Sequence, residues 1–136
     1  MRTFTKIMAA ALTMASATPA LAASQYDLVC KGTEQRKTGV APTPWKETFR
    51  IDLDQKRWCR GACRSAGPIA QITPDEITIM DTRAPGTGPS DAMLSFSRTS
   101  GAVREYVEAG WSGSSFDIAK GTCVRDLYSG MPGARF

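Results

Sequence analysis

Histidine is absent from all 136 residues. That removes an imidazole general base, the Ser-His-Asp and Cys-His arrangements, and any zinc, haem or copper site that needs a His ligand. Long apolar runs are missing too. The longest, Ile7 to Ala17, is roughly eleven residues and is broken by Thr13 and Ser16, well short of the ~20 a bilayer-spanning helix requires. No stretch holds a 3.6-residue period long enough for a helix, and neither a Walker nor a dinucleotide fingerprint occurs. Gly110-Trp111-Ser112-Gly113-Ser114 does not meet the G-x-S-x-G spacing of a hydrolase elbow and reads as a loop. Met80, Met93 and Met131 are too scattered for a copper site. The sequence therefore assigns no catalytic, metal-binding or cofactor-binding residue.

What is present begins with an export signal. Arg2 and Lys6 precede the apolar run, and Ala20-Leu21-Ala22 is a small-residue A-x-A cleavage site. Residues 1–22 are expected to be removed and 23–136 to form a single domain, soluble in the periplasm or outside the cell. A Cys at the first mature position would have indicated a lipid anchor, but that position is Ala23. Of the formal net charge of +4, two units leave with the signal, so the mature domain carries 15 basic and 13 acidic side chains. So mild a charge, in an exported protein, argues against nucleic acid as a partner.

Cys30, Cys59, Cys63 and Cys123 all lie in the mature part. In an oxidising compartment an even set reads as disulfides, and a four-thiolate metal site is the weaker alternative. Of the three possible pairings, Cys59–Cys63 closes a short loop containing Gly61, which leaves Cys30–Cys123 to join the first strand to the last.

Between the cysteines the pattern is short strands and turns. Tyr26, Leu28 and Cys30 alternate with polar neighbours in a first strand that should end at Gly32, followed by a polar loop from Thr33 to Pro44. Trp45, Glu47, Phe49, Ile51 and Leu53 form one face of the clearest strand, and Lys46, Thr48, Arg50, Asp52 and Asp54 the other. A turn near Asp54-Gln55 returns the chain through Lys56 to Cys59. Thr73-Pro74-Asp75-Glu76 joins Ile69–Ile72 to Ile77–Met80 as a type I turn. Pro85, Gly86, Gly88 and Pro89 mark Asp81 to Asp91 as the least ordered stretch. Thr99-Ser100-Gly101-Ala102 turns Met93–Arg98 into Val103–Ala109, and Phe116–Val124 is the last strand. The expected fold is all-β, an antiparallel up-and-down β-barrel of seven or eight strands, with a β-sandwich as the alternative.

Several short patterns occur together: Leu28-Val29-Cys30-Lys31-Gly32-Thr33, Arg50-Ile51-Asp52-Leu53-Asp54 running to Arg57-Trp58-Cys59, Ser97-Arg98-Thr99-Ser100-Gly101, and Gly121-Thr122-Cys123. With them the chain resembles a group of small exported β-rich proteins of Gram-negative bacteria that have no assigned function. A looser likeness is to periplasmic lysozyme inhibitors of the small β-barrel type. The resemblance implies an exported β-fold and transfers no site.

The densest chemical feature is Lys56-Arg57-Trp58-Cys59-Arg60-Gly61-Ala62-Cys63-Arg64, four cations around one indole. A loop pre-ordered by a disulfide suits an anionic envelope glycan, a lipid head group or an acidic protein surface. Lys56, Arg57, Arg60 and Arg64, with Trp58 as platform, are the candidate anion site. The bland alternative is a solvated loop with Trp58 in the core. Asp52 and Asp54 have the separation of a glycosidase pair, yet both should face solvent beside a turn, and no buried acid in a pocket is expected to have a raised pKa. Trp45, Trp58 and Trp111 read as core and rim packing. The sequence thus predicts a non-enzymatic binding domain, with an inhibitor of a cell-wall-degrading enzyme such as lysozyme as the alternative. The positive charge disfavours that alternative for a basic target.

Overall fold

The computed structural model describes residues 23–37, 39–81, 90–109 and 115–133. The expected export signal, Pro85 to Pro89 and Trp111 with its Gly/Ser neighbours lie outside them. Among the described residues nine strands follow in chain order: β1 (Gln25–Gln35), β2 (Thr43–Asp52), β3 (Arg57–Arg60), β4 (Gly67–Pro68), β5 (Gln71–Ile72), β6 (Glu76–Asp81), β7 (Ser90–Ser97), β8 (Ala102–Ala109) and β9 (Ser115–Asp126). Among the described residues there is no helix, and hence none able to cross a membrane.

All nine strands form one antiparallel sheet in the order β4-β3-β2-β1-β9-β8-β7-β6-β5. A single sheet excludes the sandwich. First and last strands pair, as an up-and-down order requires, and Cys30 sits directly opposite Cys123 in that pairing. Both expected disulfides, Cys30–Cys123 and Cys59–Cys63, are formed.

The expected closure and strand count need correction. β4 and β5, each two residues long, are the sheet's edges and do not pair with each other, so the sheet is a curled half-barrel of nine strands. The cause is local. Pro68 has no N–H with which to extend a ladder, and the two residues after it split their bonds. Ile69 N donates to Lys56 O at 2.8 Å, whereas Ala70 N donates to Ile79 O at 3.1 Å, so the chain changes partner from the β3 side to β6 within one step.

β1 also runs past Gly32, its expected end, to Gln35, and the loop that follows is correspondingly shorter. Gly32 lies opposite Gly121 in β9, and a Cβ on Gly32 would stand 1.9 Å from Lys120 O. Paired glycines let β1 and β9 approach there more closely than side chains allow.

The concave face holds the core. Tyr26, Leu28 and Cys30 of β1 meet Phe49 and Ile51 of β2, Ile77 and Ile79 of β6, Leu94 and Phe96 of β7, and Val103 of β8. Phe49 and Phe96 rings meet edge to face at 5.0 Å. On the convex face the chain after β9 lies over β1 and β2. Ser129 N donates to Asp27 Oδ1 at 3.2 Å, and Arg50 Nη1 donates to Gly130 O at 2.7 Å.

Candidate functional site

The five residues of the expected anion site do not converge. Trp58 and Arg60 lie opposite Ile51 and Phe49 and share their concave face, while Arg57 lies opposite Asp52 on the convex face. Trp58 is packed beside Phe49, ring centroids 6.4 Å apart, and its Nε1 donates to Pro68 O at 3.1 Å. Arg60 lies over the Phe49 ring at 5.0 Å, donates to Glu105 Oε1, and approaches Glu47 Oε2 at 3.9 Å. Its charge is therefore already matched by two carboxylates. Lys56 and Arg64 are exposed. The disulfide loop borders a depression of about 560 Å³ that Trp58, Arg60 and Arg64 line and Lys56 and Arg57 do not. Of the predicted set, only Trp58 and Arg64 remain there for an anion.

The Asp52–Asp54 reading also changes. Asp52, expected at the surface, is only 3% exposed. Its Oδ1 accepts from Gln55 N and its Oδ2 from Gln25 Nε2, each at 2.9 Å. It holds the β2–β3 turn and the start of β1. Asp54 is exposed and accepts from Ser24 Oγ at 2.6 Å.

One acid elsewhere has a raised pKa. Burial pushes the Asp117 carboxyl up, the Glu34 charge and a hydrogen bond with Glu34 add to the rise, Glu105 adds less, and Arg36 opposes them. Asp117 Oδ1 is buried with no hydrogen-bond partner. Glu34, Glu47, Glu105 and Asp117 share the concave face toward one end of the curl, following the register of β1, β2, β8 and β9. Among the described residues no group of three or more acids and cysteines is arranged to hold a metal ion.

The other end of the same face is cationic. A cavity of about 270 Å³ opens between the β7–β8 turn and strands β1 and β9. Arg98 and Arg125 border it. Buried Tyr26, Leu28, Ile77, Phe96 and Cys123 form its floor, and Ser97 to Gly101 form its rim. No carboxylate is among the described residues that line it, and neither guanidinium belongs to an ion pair among the described residues.

Both cations are held in place. Gly101 adopts φ 71°, and Cys123 N donates to Gly101 O at 2.7 Å, which docks the turn on β9. A Cβ on Gly101 would meet Cys123 O at 2.6 Å, so glycine is required by space as well as by torsion. Arg98 N donates to Asp75 O and its Nη1 to Thr73 O, each at 2.8 Å, which fixes it against the β5–β6 turn. Arg125 stacks on the Tyr26 ring at 4.3 Å. Burial raises the Tyr26 phenol pKa, and the Arg125 and Arg98 charges oppose that rise. Both guanidiniums therefore act electrostatically on one hydroxyl.

Sequence reasoning missed this site because its members lie on five elements. One signal could have found it: once Cys30 faces Cys123, antiparallel register puts Arg125 opposite Leu28 and near Tyr26. No protein-family model, curated protein or solved structure matches the chain.

Proposed function

We propose that this is an exported, non-enzymatic binding domain whose ligand is anionic, and that the ligand is taken at the Arg98–Arg125 end of the curl rather than at the disulfide loop. The observation that carries the reading is the pair of anchored guanidiniums at one cavity with no carboxylate in its described lining. Guanidinium forks recognise oxyanions through paired N–H donors, and ones already fixed in place lose less entropy when they do so.

The test is a titration of the isotope-labelled mature domain with acetate, read by amide chemical shifts. Expected shifts cluster at Tyr26, residues 97–101 and Arg125, and disappear in Arg98→Gln/Arg125→Gln. Shifts confined to Lys56, Arg57 and Arg64, or none at all, would refute the cavity as the anion site. Stoichiometric inhibition of a lysozyme by a domain that shows no cavity shifts would support the inhibitor alternative in its place. Export is tested separately, by fractionation and N-terminal sequencing, with a mature start at Ala23 expected.

A further inference from the structure

An anion site could serve a fully hydrated inorganic ion, but the floor of this one has the wrong chemistry for that. Beside the two guanidiniums the cavity is lined by Leu28, Ile77, Phe96 and Cys123, all at least nine-tenths buried in the core. A bare inorganic ion would gain nothing from these groups. A ligand that turns a charged head toward the arginines and an apolar body toward the floor would satisfy both halves.

Tyr26 adds a second, independent indication. It is 3% exposed and lines the cavity, its ring carries Arg125, and its hydroxyl makes no hydrogen bond among the described residues. The side chain is buried, but its hydroxyl oxygen is not among the buried atoms that lack a partner, so it is open to solvent within the cavity. Here the polar tip stands at the boundary between the apolar floor and the charged rim, where a ligand oxygen would complete it. The cavity's size sets the scale of the ligand. At about 270 Å³ it falls just under the ~300–1,000 Å³ of pockets that hold drug-sized molecules, so the body must be short.

We infer that the cavity between Arg98, Arg125 and Tyr26 binds a small organic carboxylate with a short apolar chain, the carboxylate on the guanidiniums and the chain on Leu28, Ile77 and Phe96. This rests on the anion reading above and adds the ligand class. Preorganisation supports it: the rim is tied to the β5–β6 turn and to β9 before any ligand arrives.

The experiment is a calorimetric and chemical-shift titration of the mature domain with acetate, butanoate, hexanoate and decanoate, and with hexanamide as the neutral counterpart of hexanoate. Each methylene that finds the floor tightens binding by up to about fourfold, so hexanoate is expected to bind at least about tenfold tighter than acetate. Decanoate, too long for the cavity, should gain nothing further. Hexanamide is expected to bind at least about tenfold more weakly than hexanoate, since charge-assisted bonds are roughly twice as strong as neutral ones. Arg98→Gln/Arg125→Gln should remove the preference for hexanoate over hexanamide. Tyr26→Phe, which keeps the ring and the packing, should weaken hexanoate severalfold, and it remains informative if the double arginine variant fails to fold.

Equal affinity for hexanoate and acetate would overturn the ligand class while leaving the anion site standing. Equal affinity for hexanamide and hexanoate, or undiminished hexanoate binding in the arginine variant, would overturn both. Hexanoate binding untouched by Tyr26→Phe would remove the phenol from the site and with it the second of the two indications.

Discussion

At the Tyr26 end of the curl, Arg98 and Arg125 border a cavity with no described carboxylate in its lining, whereas toward the Glu34 end three carboxylates, Glu34, Glu47 and Glu105, share Arg36 and Arg60. Both ends belong to the same strands. Tyr26 and Glu34 lie on one face of β1, eight residues apart, which at about 3.3 Å per residue is roughly 26 Å. The difference lies in what the charges have found. At the acidic end the cations are spent on carboxylates: Arg60 on Glu105 and Glu47, Arg36 on Glu34 at 2.9 Å. At the cationic end the guanidiniums bind a backbone carbonyl and an aromatic face, neither of which cancels their charge. Cations paired with carboxylates hold structure, and cations without such a partner are open to a ligand. Arg60, the most prominent cation of the basic loop, falls on the structural side.

The largest way to break the comparison acts on both ends together. Cys30–Cys123 joins β1 to β9 midway between them across 93 residues of sequence, and the chain-entropy estimate for such a loop is roughly 4–5 kcal/mol. Cys59–Cys63, separated by four positions, is worth about 2 kcal/mol on the same basis. Denaturant melts of Cys30→Ser/Cys123→Ser are expected to show a loss about twice that of Cys59→Ser/Cys63→Ser, with the acetate shifts at the cavity lost only in the first. A larger loss from the short loop would show that the two ends do not depend on the β1–β9 seam.

Gly121→Ala is the next largest. The new Cβ would stand 2.1 Å from Lys31 O and 2.9 Å from Gly32 Cα, so the seam must open, at a cost of about 1–3 kcal/mol. Gly121 lies on the acidic side of the disulfide, so Tm should fall while the cavity still binds acetate. Loss of acetate binding at a temperature where the variant is folded would mean the ends are mechanically coupled.

Much of this was legible in the sequence. The alternation of Trp45 to Leu53 gave β2 its two faces, and the expectation of export turned four cysteines into two disulfides with the right partners. Three things were not. β4 is two residues, one a proline, and produces no periodic pattern to read. Asp52 looked exposed because alternation tells which face a residue is on, not whether a turn and a following segment cover that face. The Arg98–Arg125–Tyr26 cavity and the Glu34–Asp117 pair depend on long-range register, which only the Cys30–Cys123 link could have supplied.

Arg60→Ala tests the structural side of the comparison. It leaves Glu105, only 7% exposed, without its cation and removes the guanidinium from the Phe49 ring. Because the Arg60 side chain is itself 37% exposed, the cost should fall below that of breaking a fully buried pair, at about 1–3 kcal/mol. Chemical denaturation would measure it, and Glu105→Gln in the same background should recover part of the loss. Weakened acetate binding in folded Arg60→Ala would place Arg60 in the anion site after all.

The smallest effect is the most specific. Asp117 has a folded-state pKa raised by burial, by the Glu34 charge and hydrogen bond, and by Glu105, against the pull of Arg36. A raised carboxyl holds its proton more tightly folded than unfolded. Its contribution therefore favours the fold below the ordinary Asp range and is lost as pH climbs through the raised value. Asp117→Asn removes the titrating charge while keeping the shape of the side chain beside Glu34. The variant should melt slightly above the native protein at pH 7, with the gap closing as pH falls below 4. A gap that does not vary between pH 3 and 8, or a variant less stable at pH 7, would show that Asp117 is not under strain from its neighbours. The acidic end would then be as passive toward protons as the cationic end is receptive to anions.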